Sequence, residues 1–313
     1  MEIIKPEKLK RGDVIGIISP SSPVSDKVKL DSGVSYFEKM GYRVKVGINA
    51  MKEWGYLAGT DEERVEDIHN MFLDNEVKLI ICLRGGYGAS RLLDKIDYRI
   101  VKNNPKIFCG YSDITVLQNA FFKKTGLITF AGPMAGVDFY EDISEFTEQN
   151  FWNTVTSSKP IKLNCPKGKR LSSYRSGIAE GKLIGGNLSM FVSLIGTEYL
   201  PGPEGKILFL EEVDEVPYRI DRMLNQLRLS GYLGKIKGVI LGSFTDCIEN
   251  DLQRKSLKLE EVMDDYFIND FHAPVLYNLN HGHIKDNITM PIGLNVKING
   301  IDCSIDFLEN HLV

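Results

Sequence analysis

The first half of the chain alternates short apolar runs with amphipathic segments. The apolar runs at 14–18, 79–83 and 107–109 are continuous and short, which is typical of strands buried on both faces of a parallel sheet. A helical pattern covers about residues 26–40, and a further strand is predicted at 42–46. This alternation predicts right-handed βαβ units and an open α/β sheet. Ligands of such sheets bind beyond the carboxyl ends of the strands, so the loops at that edge are the candidates for a site.

The second half has a mixed pattern of α and β segments. Strands are predicted at 206–210 and 238–242, with a helix at about 217–230 between them. The run from 294 to 307 alternates like an antiparallel hairpin that turns at Asn299–Gly300. This half is therefore predicted to be a mixed α and β domain.

A polar stretch containing proline and glycine separates the two halves, between about Lys159 and Arg175. The chain has 313 residues, more than the roughly 100–200 of a typical domain. We therefore predict two domains, 1–165 and 175–313, each with its own core.

The charge of the chain argues against several classes of partner. With 38 Lys and Arg against 42 Asp and Glu, the net charge is -4, which gives no general attraction for nucleic acid or anionic lipid. A small molecule or a peptide is the predicted substrate. The first thirteen residues are too charged for a secretory segment, and no apolar run approaches the roughly 20 residues of a membrane span. These features predict a cytoplasmic protein without a membrane segment.

The cysteines show no pattern of a metal site or a disulfide framework. There are five, and they are scattered without CxxC spacing: Cys82, Cys109, Cys165, Cys247 and Cys303. Cys82 and Cys109 lie within apolar runs, where a free cysteine acts as a small buried hydrophobic residue. No metal is predicted.

The first candidate for chemistry is Ser112, which follows a buried strand and precedes a helical pattern. A serine on such a turn can be exposed, and the N–H groups at the helix start favour a developing oxyanion. The segment departs from G-x-S-x-G, because Asp113 and Ile114 follow the serine. The alternative is an N-cap, a role that serine and aspartate commonly have. Local sequence alone favours the N-cap.

The second candidate is the glycine-rich segment Arg84–Arg91, which also follows a buried strand and opens a helical pattern. Its glycines allow backbone N–H groups to approach a ligand closely. GxGxxG and GxxxxGK[ST] are both absent, so oxyanion or carboxylate binding is favoured over phosphate binding. A plain tight turn is the structural alternative.

A serine nucleophile needs a base, which is most often histidine. Of the five histidines, His69 lies in an amphipathic pattern, His272 in a predicted turn and His311 in the tail. The segment 280–286, which holds His281 and His283, resembles a site loop. A pair spaced by two residues without a third ligand is weak support for zinc. The carboxylates that follow the strand at 206–210, beginning with Glu211 and Glu212, are candidates to orient the histidine.

Taken together, these segments resemble the LD-carboxypeptidase family of serine peptidases, which includes muramoyltetrapeptide carboxypeptidases and microcin-C immunity peptidases. The resemblance covers nearly the whole chain. It is carried by ordered motifs at Gly12–Ser21, Gly59–Arg64, Arg84–Gly88, Gly110–Asp113, Gly185–Asn187, Leu210–Val213, Gly282–His283 and Thr289–Gly293.

The resemblance implies a role for each site residue. Ser112 is the implied nucleophile, Glu211 the acid partner and His283, which directly follows a glycine, the base. The family has Glu-Asp where this chain has Glu211 and Glu212, which leaves either glutamate open as the acid. The resemblance also implies oxyanion donors at the N–H of Asp113 and in the Gly85–Gly86 turn. Gly85, Gly86 and Asn187 are implied to lie near the substrate.

The resemblance also implies the architecture. It predicts a flavodoxin-like N-terminal domain with a mostly parallel sheet, which carries the serine, and a smaller mixed, β-rich C-terminal domain, which carries the glutamate and histidine. Ser112 is then expected to face the other two residues across a domain interface. The family implies a homodimer and no cofactor.

The activity that the resemblance implies is hydrolysis of an L,D-peptide bond, with release of the terminal D-Ala of murein tetrapeptide in cell-wall recycling. The third residue of the peptide, diaminopimelate or lysine, stays open. One alternative is hydrolysis of a peptidyl-nucleotide by the same triad, for which Trp54, Tyr56 or Trp152 could stack on the base. Another is a non-catalytic protein that binds a carboxylated peptide.

Overall fold

The computed structural model describes residues 2–140, 142–161, 163, 165–251 and 253–313. The strands are, in chain order, β1 (Val14–Ile18), β2 (Arg43–Val46), β3 (Val77–Cys82), β4 (Ile107–Gly110), β5 (Thr129–Ala131), β6 (Ser172–Arg175), β7 (Ile178–Asn187), β8 (Lys206–Val213), β9 (Gly238–Thr245), β10 (Val275–Tyr277), β11 (Met290–Ile292), β12 (Asn295–Asn299) and β13 (Ser304–Phe307). The helices are α1 (Lys27–Lys39), α2 (Asp61–Leu73), α3 (Tyr98–Asn103), α4 (Thr115–Thr125), α5 (Glu145–Thr156), α6 (Leu188–Ser193), α7 (Pro217–Leu229) and α8 (Leu259–Asp264), which a π-helical turn (Asp265–Asp270) follows. These bounds confirm the strands and helices predicted from the apolar pattern.

The chain divides into two compact units, and neither matches a single continuous range. Unit 1 contains Met1–Ile161, Ile288–Gly293 and Asn310–Val313, and unit 2 contains Lys162–Asn287 and Leu294–Glu309. The predicted ranges 1–165 and 175–313 differ from these units, because two C-terminal segments belong to unit 1. They do so because β11 pairs antiparallel with β5 and Val313 bonds to the N-terminal segment.

Unit 1 is built on a mostly parallel sheet. Among the described residues this sheet has six strands in the order β11-β5-β4-β3-β1-β2, and only β11 runs antiparallel to its neighbour. The first five strands thus have the flavodoxin-like order 2-1-3-4-5. β1 and β4 are buried along their whole length, as expected for a sheet covered on both faces. The predicted flavodoxin-like domain is confirmed.

The strand order reverses between β1 and β3, and this position determines where unit 1 can bind a ligand. The loops after these two strands leave the sheet in a crevice at its carboxyl edge. Ser21 lies in the first loop and Gly85 in the second, while Ser112 follows the neighbouring strand β4. The predicted candidates of this unit therefore share one edge.

Unit 2 is built on a mixed sheet. Its seven strands in the described part of the chain have the order β13-β12-β7-β8-β9-β10-β6, with parallel pairing from β7 to β10 and antiparallel pairing at both margins. The register aligns Asn187 at the end of β7 with Glu211 in β8. These two polar residues, near the carboxyl ends of adjacent parallel strands, thus lie side by side. The predicted mixed, β-rich second domain is confirmed.

The C-terminal hairpin has a longer loop than the sequence predicts. β12 and β13 pair antiparallel with Asn299 opposite Ser304, so the turn occupies 300–303. Asn299 Oδ1 accepts a hydrogen bond from the N–H of Ile301 at 2.9 Å, and Cys303 has a φ of 51°. A side-chain bond of this kind stabilises a turn as the backbone itself would, which permits the wider loop.

Candidate active site

Ser112 stands at a sharp turn between β4 and α4. Its φ is 64°, in the left-handed region that residues other than glycine rarely adopt. It begins a 3₁₀ turn, Ser112–Ile114, and α4 follows with Ile114 at its N-cap and no side-chain capping bond. The N-cap alternative for Ser112 is therefore wrong. A strained serine on a strand-to-helix turn is the geometry of a nucleophile elbow.

The glycine-rich loop packs directly against this turn. A Cβ at Gly85 would lie 3.1 Å from Cβ and 3.2 Å from Oγ of Ser112, and 3.5 Å from the N of Asp113. Gly86 has a φ of 114°, and the N–H of the next residue, Tyr87, donates to Ser22 Oγ at 3.0 Å. The structure thus brings Gly85, Gly86, Ser112 and Asp113 together within unit 1. Backbone N–H groups at this place are the type of donor that stabilises an oxyanion.

The side chain of Asp113 has a separate role from its N–H. It is 1% exposed, and its Oδ2 accepts a short hydrogen bond from the Ser21 hydroxyl and one of 2.9 Å from the N–H of Ala89. Burial raises the pKa of this carboxyl, and the two hydrogen bonds oppose the rise. The carboxyl therefore links the loops after β1 and β3.

Unit 2 carries a carboxylate and histidine pair. Glu211 Oε2 lies 3.0 Å from His283 Nδ1, and the two side chains are 1% and 22% exposed. Because a carboxylate only accepts, Nδ1 donates to it, and in the neutral ring Nε2 is then the nitrogen that can accept a proton. Gly282 has a φ of 136°, and a Cβ there would lie 2.9 Å from Glu211 Oε2. A glycine before His283 is thus what lets the carboxylate approach.

Glu212 is engaged elsewhere. Its carboxylate accepts from Asn187 Nδ2 at 2.8 Å, the N–H of Val213 at 2.9 Å, and the N–H and hydroxyl of Ser189 at 2.8 and 2.5 Å. Burial raises the pKa of this carboxyl against these hydrogen bonds. Asn187 in turn accepts from the N–H of Met190 at 3.2 Å and caps α6. Of the two glutamates, Glu211 is the one that contacts the histidine.

Three of the four remaining histidines have structural contacts. His281 is 1% exposed and lies edge-on to Phe209, with ring centroids 4.9 Å apart. His69 accepts from the N–H of Asp97, and His311 Nε2 donates to Thr154 O. His272 is exposed. The structure therefore distinguishes His283 from its neighbour His281, which the sequence pattern alone did not.

The cysteines and the possible metal ligands are the remaining reactive side chains near this site. Cys82 and Cys109 are fully buried, as predicted, and burial raises the pKa of both thiols. Within the described ranges, no three His, Cys, Asp or Glu side chains form a group that could hold a metal ion. No helix in the same ranges is long and apolar enough to cross a membrane.

Arg64 and Ser21 are site neighbours that the sequence did not reveal as such. Arg64 lies in the amphipathic segment that becomes α2, where charged residues are usually solvated, yet it is 1% exposed. Ser21 is fully buried in the loop after β1. Both stand at the ends of motifs that carry the family resemblance, which is the one sequence signal that could have indicated them.

A serine on a strained turn and a buried carboxylate with its histidine are the features of serine hydrolases. Comparison with known protein families identifies the branch: the LD-carboxypeptidase N-terminal domain matches residues 15–132, and the LD-carboxypeptidase C-terminal domain matches residues 180–298. The chain belongs to the LD-carboxypeptidase family of serine peptidases.

Individual relatives cover nearly the whole chain. A probable murein peptide carboxypeptidase of Bacillus subtilis is 40% identical over 94% of this chain and 91% of its own length. The microcin C7 self-immunity protein MccF of Escherichia coli is 30% identical over 96% and 94%. The crystal structure of a muramoyltetrapeptide carboxypeptidase from Oxalobacter formigenes has a TM-score of 0.82 at 33% identity, and covers 94% of this chain and 97% of that one.

Proposed function

We propose that this protein hydrolyses the bond between an L-configured centre and a terminal D-amino acid, and that it releases D-Ala from murein tetrapeptide in cell-wall recycling. The observation that carries the proposal is the left-handed φ of 64° at Ser112, on a turn packed against the Gly85 backbone. A serine held in this way is suited to acyl transfer. The names of the relatives in Bacillus subtilis and Oxalobacter formigenes support a murein peptide as substrate.

In the proposed mechanism Ser112, His283 and Glu211 act as a triad. The Ser112 hydroxyl attacks the carbonyl carbon of the scissile bond, and His283 Nε2 takes its proton. The same nitrogen then protonates the leaving D-Ala amine, which leaves an acyl-enzyme. Water repeats the sequence and releases the shortened peptide. Glu211 holds the ring through Nδ1, the contact that the 3.0 Å distance supports.

The oxyanion of the tetrahedral intermediate is proposed to bind backbone N–H groups. The candidates are the N–H of Asp113 and those of the Gly85–Gly86 turn, whose proximity to Ser112 supports the assignment. Removal of a single oxyanion donor typically lowers kcat by about 100- to 1,000-fold. Asn187 is expected near the substrate, although its hydrogen bonds to Glu212 and to α6 also give it a structural role.

The decisive experiment is turnover of L-Ala-γ-D-Glu-meso-diaminopimelate-D-Ala by purified protein and by a Ser112→Ala variant. The wild type is expected to release D-Ala and the variant none above background. Ser25→Ala, a change at an exposed serine of the same unit, serves as the matched control with full activity. Full activity of Ser112→Ala would contradict the mechanism. A parallel peptide with lysine at the third position determines which residue the protein accepts there.

A second candidate function is hydrolysis of a peptidyl- or aminoacyl-nucleotide, which the similarity to MccF supports. Tyr56 is 65% exposed, and its ring lies 5.6 Å from that of Tyr87 in the glycine-rich loop. Trp54 is 55% exposed nearby in sequence. Trp152 instead stacks on the Tyr42 ring at 5.0 Å, which makes it a poor candidate to stack on a base.

The two substrate classes can be separated by assaying the murein tetrapeptide and an aminoacyl-nucleotide side by side. If the nucleotide is the substrate, it turns over faster than the tetrapeptide, and Tyr56→Leu raises its KM several-fold. If the tetrapeptide is the substrate, the order of rates is reversed. A non-catalytic binding protein would retain the peptide without turnover, and a serine-directed phosphonate would not label Ser112.

The homodimer and the cytoplasmic location stay predictions from the family and the sequence. Light scattering on the purified protein measures the first, and fractionation of the source cells measures the second.

A further inference from the structure

Arg64 is a buried cation that binds two separate loops of unit 1. It lies on α2, and its guanidinium donates to Pro20 O at 2.8 Å and to Gly88 O at 2.9 Å. Its charge is balanced by Asp61, 2.6 Å away. A Cβ at Gly88 would lie 2.8 Å from Arg64 Nη1. Glycine at this position therefore makes room for the guanidinium.

The Asp113 carboxylate binds the same two loops one residue further on. Its Oδ2 accepts from the hydroxyl of Ser21, which follows Pro20, and from the N–H of Ala89, which follows Gly88. Arg64 thus donates to a carbonyl of each loop, and Asp113 accepts a hydrogen bond from each loop. We call Arg64, Asp113 and Ser21 the loop clamp.

The segment that the loop clamp fixes is the one that touches Ser112. The chain from Gly85 to Gly88 runs between the contact with Ser112 and the two clamped residues Gly88 and Ala89. Among the described residues, the turn itself bonds to the β1 loop through Ser22, whose N–H donates to Gly85 O at 3.4 Å and whose Oγ accepts from the N–H of Tyr87 at 3.0 Å and donates to Tyr87 O at 3.5 Å. The first of these is long for an N–H···O bond, so the turn depends on neighbours for its placement.

Burial of two opposite charges is a poor way to gain stability. Desolvation offsets most of the attraction, and apolar residues of similar size often stabilise a fold equally well. Arg64 and Asp113 are both 1% exposed, on different elements, and both point at loops of the carboxyl edge. A role in fixing the geometry of the site therefore explains this arrangement better than a role in stabilising the fold.

We propose that Arg64 and the Asp113 side chain are positioning residues, which hold the Gly85–Gly86 turn at the distance from Ser112 that an oxyanion requires. The proposal rests on the proposed function, because it assigns the turn to the reaction of Ser112. It extends that function to residues that touch neither the substrate nor the histidine. A misplacement of about 1 Å at a reacting group lowers the rate by about 100-fold, so loosening of the clamp is expected to act on kcat.

The test uses conservative variants of the full chain: Ser21→Ala, Arg64→Lys and Asp113→Asn. We expect kcat for D-Ala release to fall by about 10- to 100-fold in each, with KM within about two-fold of the wild type, since the change acts on the transition state. The inactivation rate by a serine-directed phosphonate should fall in parallel. Arg99→Lys is the matched control, because Arg99 is exposed and its guanidinium binds Asp97 at 2.7 Å, away from both loops, and it should leave kcat unchanged.

A double variant, Ser21→Ala with Arg64→Lys, separates a shared role from two independent ones. If both residues fix the same turn, the loss in kcat should be close to that of the worse single variant rather than the product of the two losses. Ser21→Ala removes only one hydroxyl, and thermal unfolding confirms that the variants are folded at the assay temperature.

Two outcomes overturn the proposal while leaving the proposed function intact: wild-type kcat in the folded Ser21→Ala and Arg64→Lys variants, or a rise in KM without a fall in kcat. A wild type that neither releases D-Ala nor reacts with the phosphonate overturns the proposed function instead. The two failures are therefore distinguishable.

Discussion

At the scale of single residues, the site depends on which atoms each side chain contacts. Ser112 occupies a left-handed conformation, which costs about 1–3 kcal/mol for a residue of this kind and persists only where the surroundings enforce it. Glu211 and Glu212 are adjacent in one strand and equally acidic in sequence. Alternate side chains of a strand point to opposite faces, so one reaches His283 and the other reaches α6.

The two adjacent glutamates give a matched pair of variants. Glu211→Gln is expected to lower kcat by about 100- to 10,000-fold, because an amide no longer fixes the tautomer or stabilises the imidazolium. Glu212→Gln is expected to keep kcat within about ten-fold and to lower the free energy of unfolding by about 1–3 kcal/mol, because an amide nitrogen then faces buried donors. Steady-state kinetics and urea unfolding measure both. An equal fall in kcat would contradict the assignment of Glu211.

At the scale of elements, α2 has an unusual buried face. Its buried residues include Asp61, Arg64 and Asp67 beside the apolar ones. Asp67 accepts from the backbone N–H of Asn49 at 3.1 Å and from Asn49 Nδ2 at 3.2 Å, and so ties the helix to the loop after β2. Periodicity predicts such a helix correctly, but it assigns these polar residues to the solvated side.

Asp67 makes the stability of unit 1 depend on pH. Burial raises its pKa from 3.8 to about 6, so between these values the folded chain binds more protons than the unfolded chain. The stabilisation that comes from protonation of Asp67 in the folded chain is present in full below about pH 4. It is lost as the pH rises through 6. The stability of Asp67→Asn relative to the wild type should therefore increase between pH 4 and pH 7.5, by at most about 3 kcal/mol. Urea unfolding of both proteins across this range measures it, and a constant difference would contradict the expectation.

At the scale of the whole molecule, the order of segments along the chain differs from their order in space. Unit 1 takes its last strand, β11, from between the two segments of unit 2, and its final segment from the C-terminus. Val313 exchanges backbone hydrogen bonds with the N-terminal segment, its N–H to Pro6 O and its carbonyl with the N–H of Lys8, each 3.0 Å long. The C-terminal tail is thus part of the core of unit 1.

Removal of Asn310–Val313 should therefore destabilise unit 1. Leu312 is 1% exposed and His311 is fully buried with a bond to Thr154 O, and burial of one such leucine alone contributes about 1.5–3 kcal/mol. We expect the free energy of unfolding to fall by about 2–5 kcal/mol, as measured by urea denaturation. His272→Ala, at an exposed histidine, should change nothing. An unchanged midpoint after truncation would show that the tail packs only weakly.

The sequence by itself determined the class of fold, the course of the parallel strands and the short list of candidate residues. It could do so because buried parallel strands are continuous apolar runs, and because residues after such strands meet at one edge. Local pattern assigned Ser112 to an N-cap, and only the family motifs distinguished it, His283 and Glu211 as candidates.

The tertiary structure decided what depends on contacts between distant segments. It showed the strained φ of Ser112, the engagement of Glu212 by α6 and the return of β11 to unit 1. It also turned Arg64 inward, onto loops that lie 44 and 24 residues away in the chain. Hydrophobic periodicity predicts which face of an element is buried, but it does not predict which polar group a buried charge contacts. The chemistry of a buried charge depends on that contact.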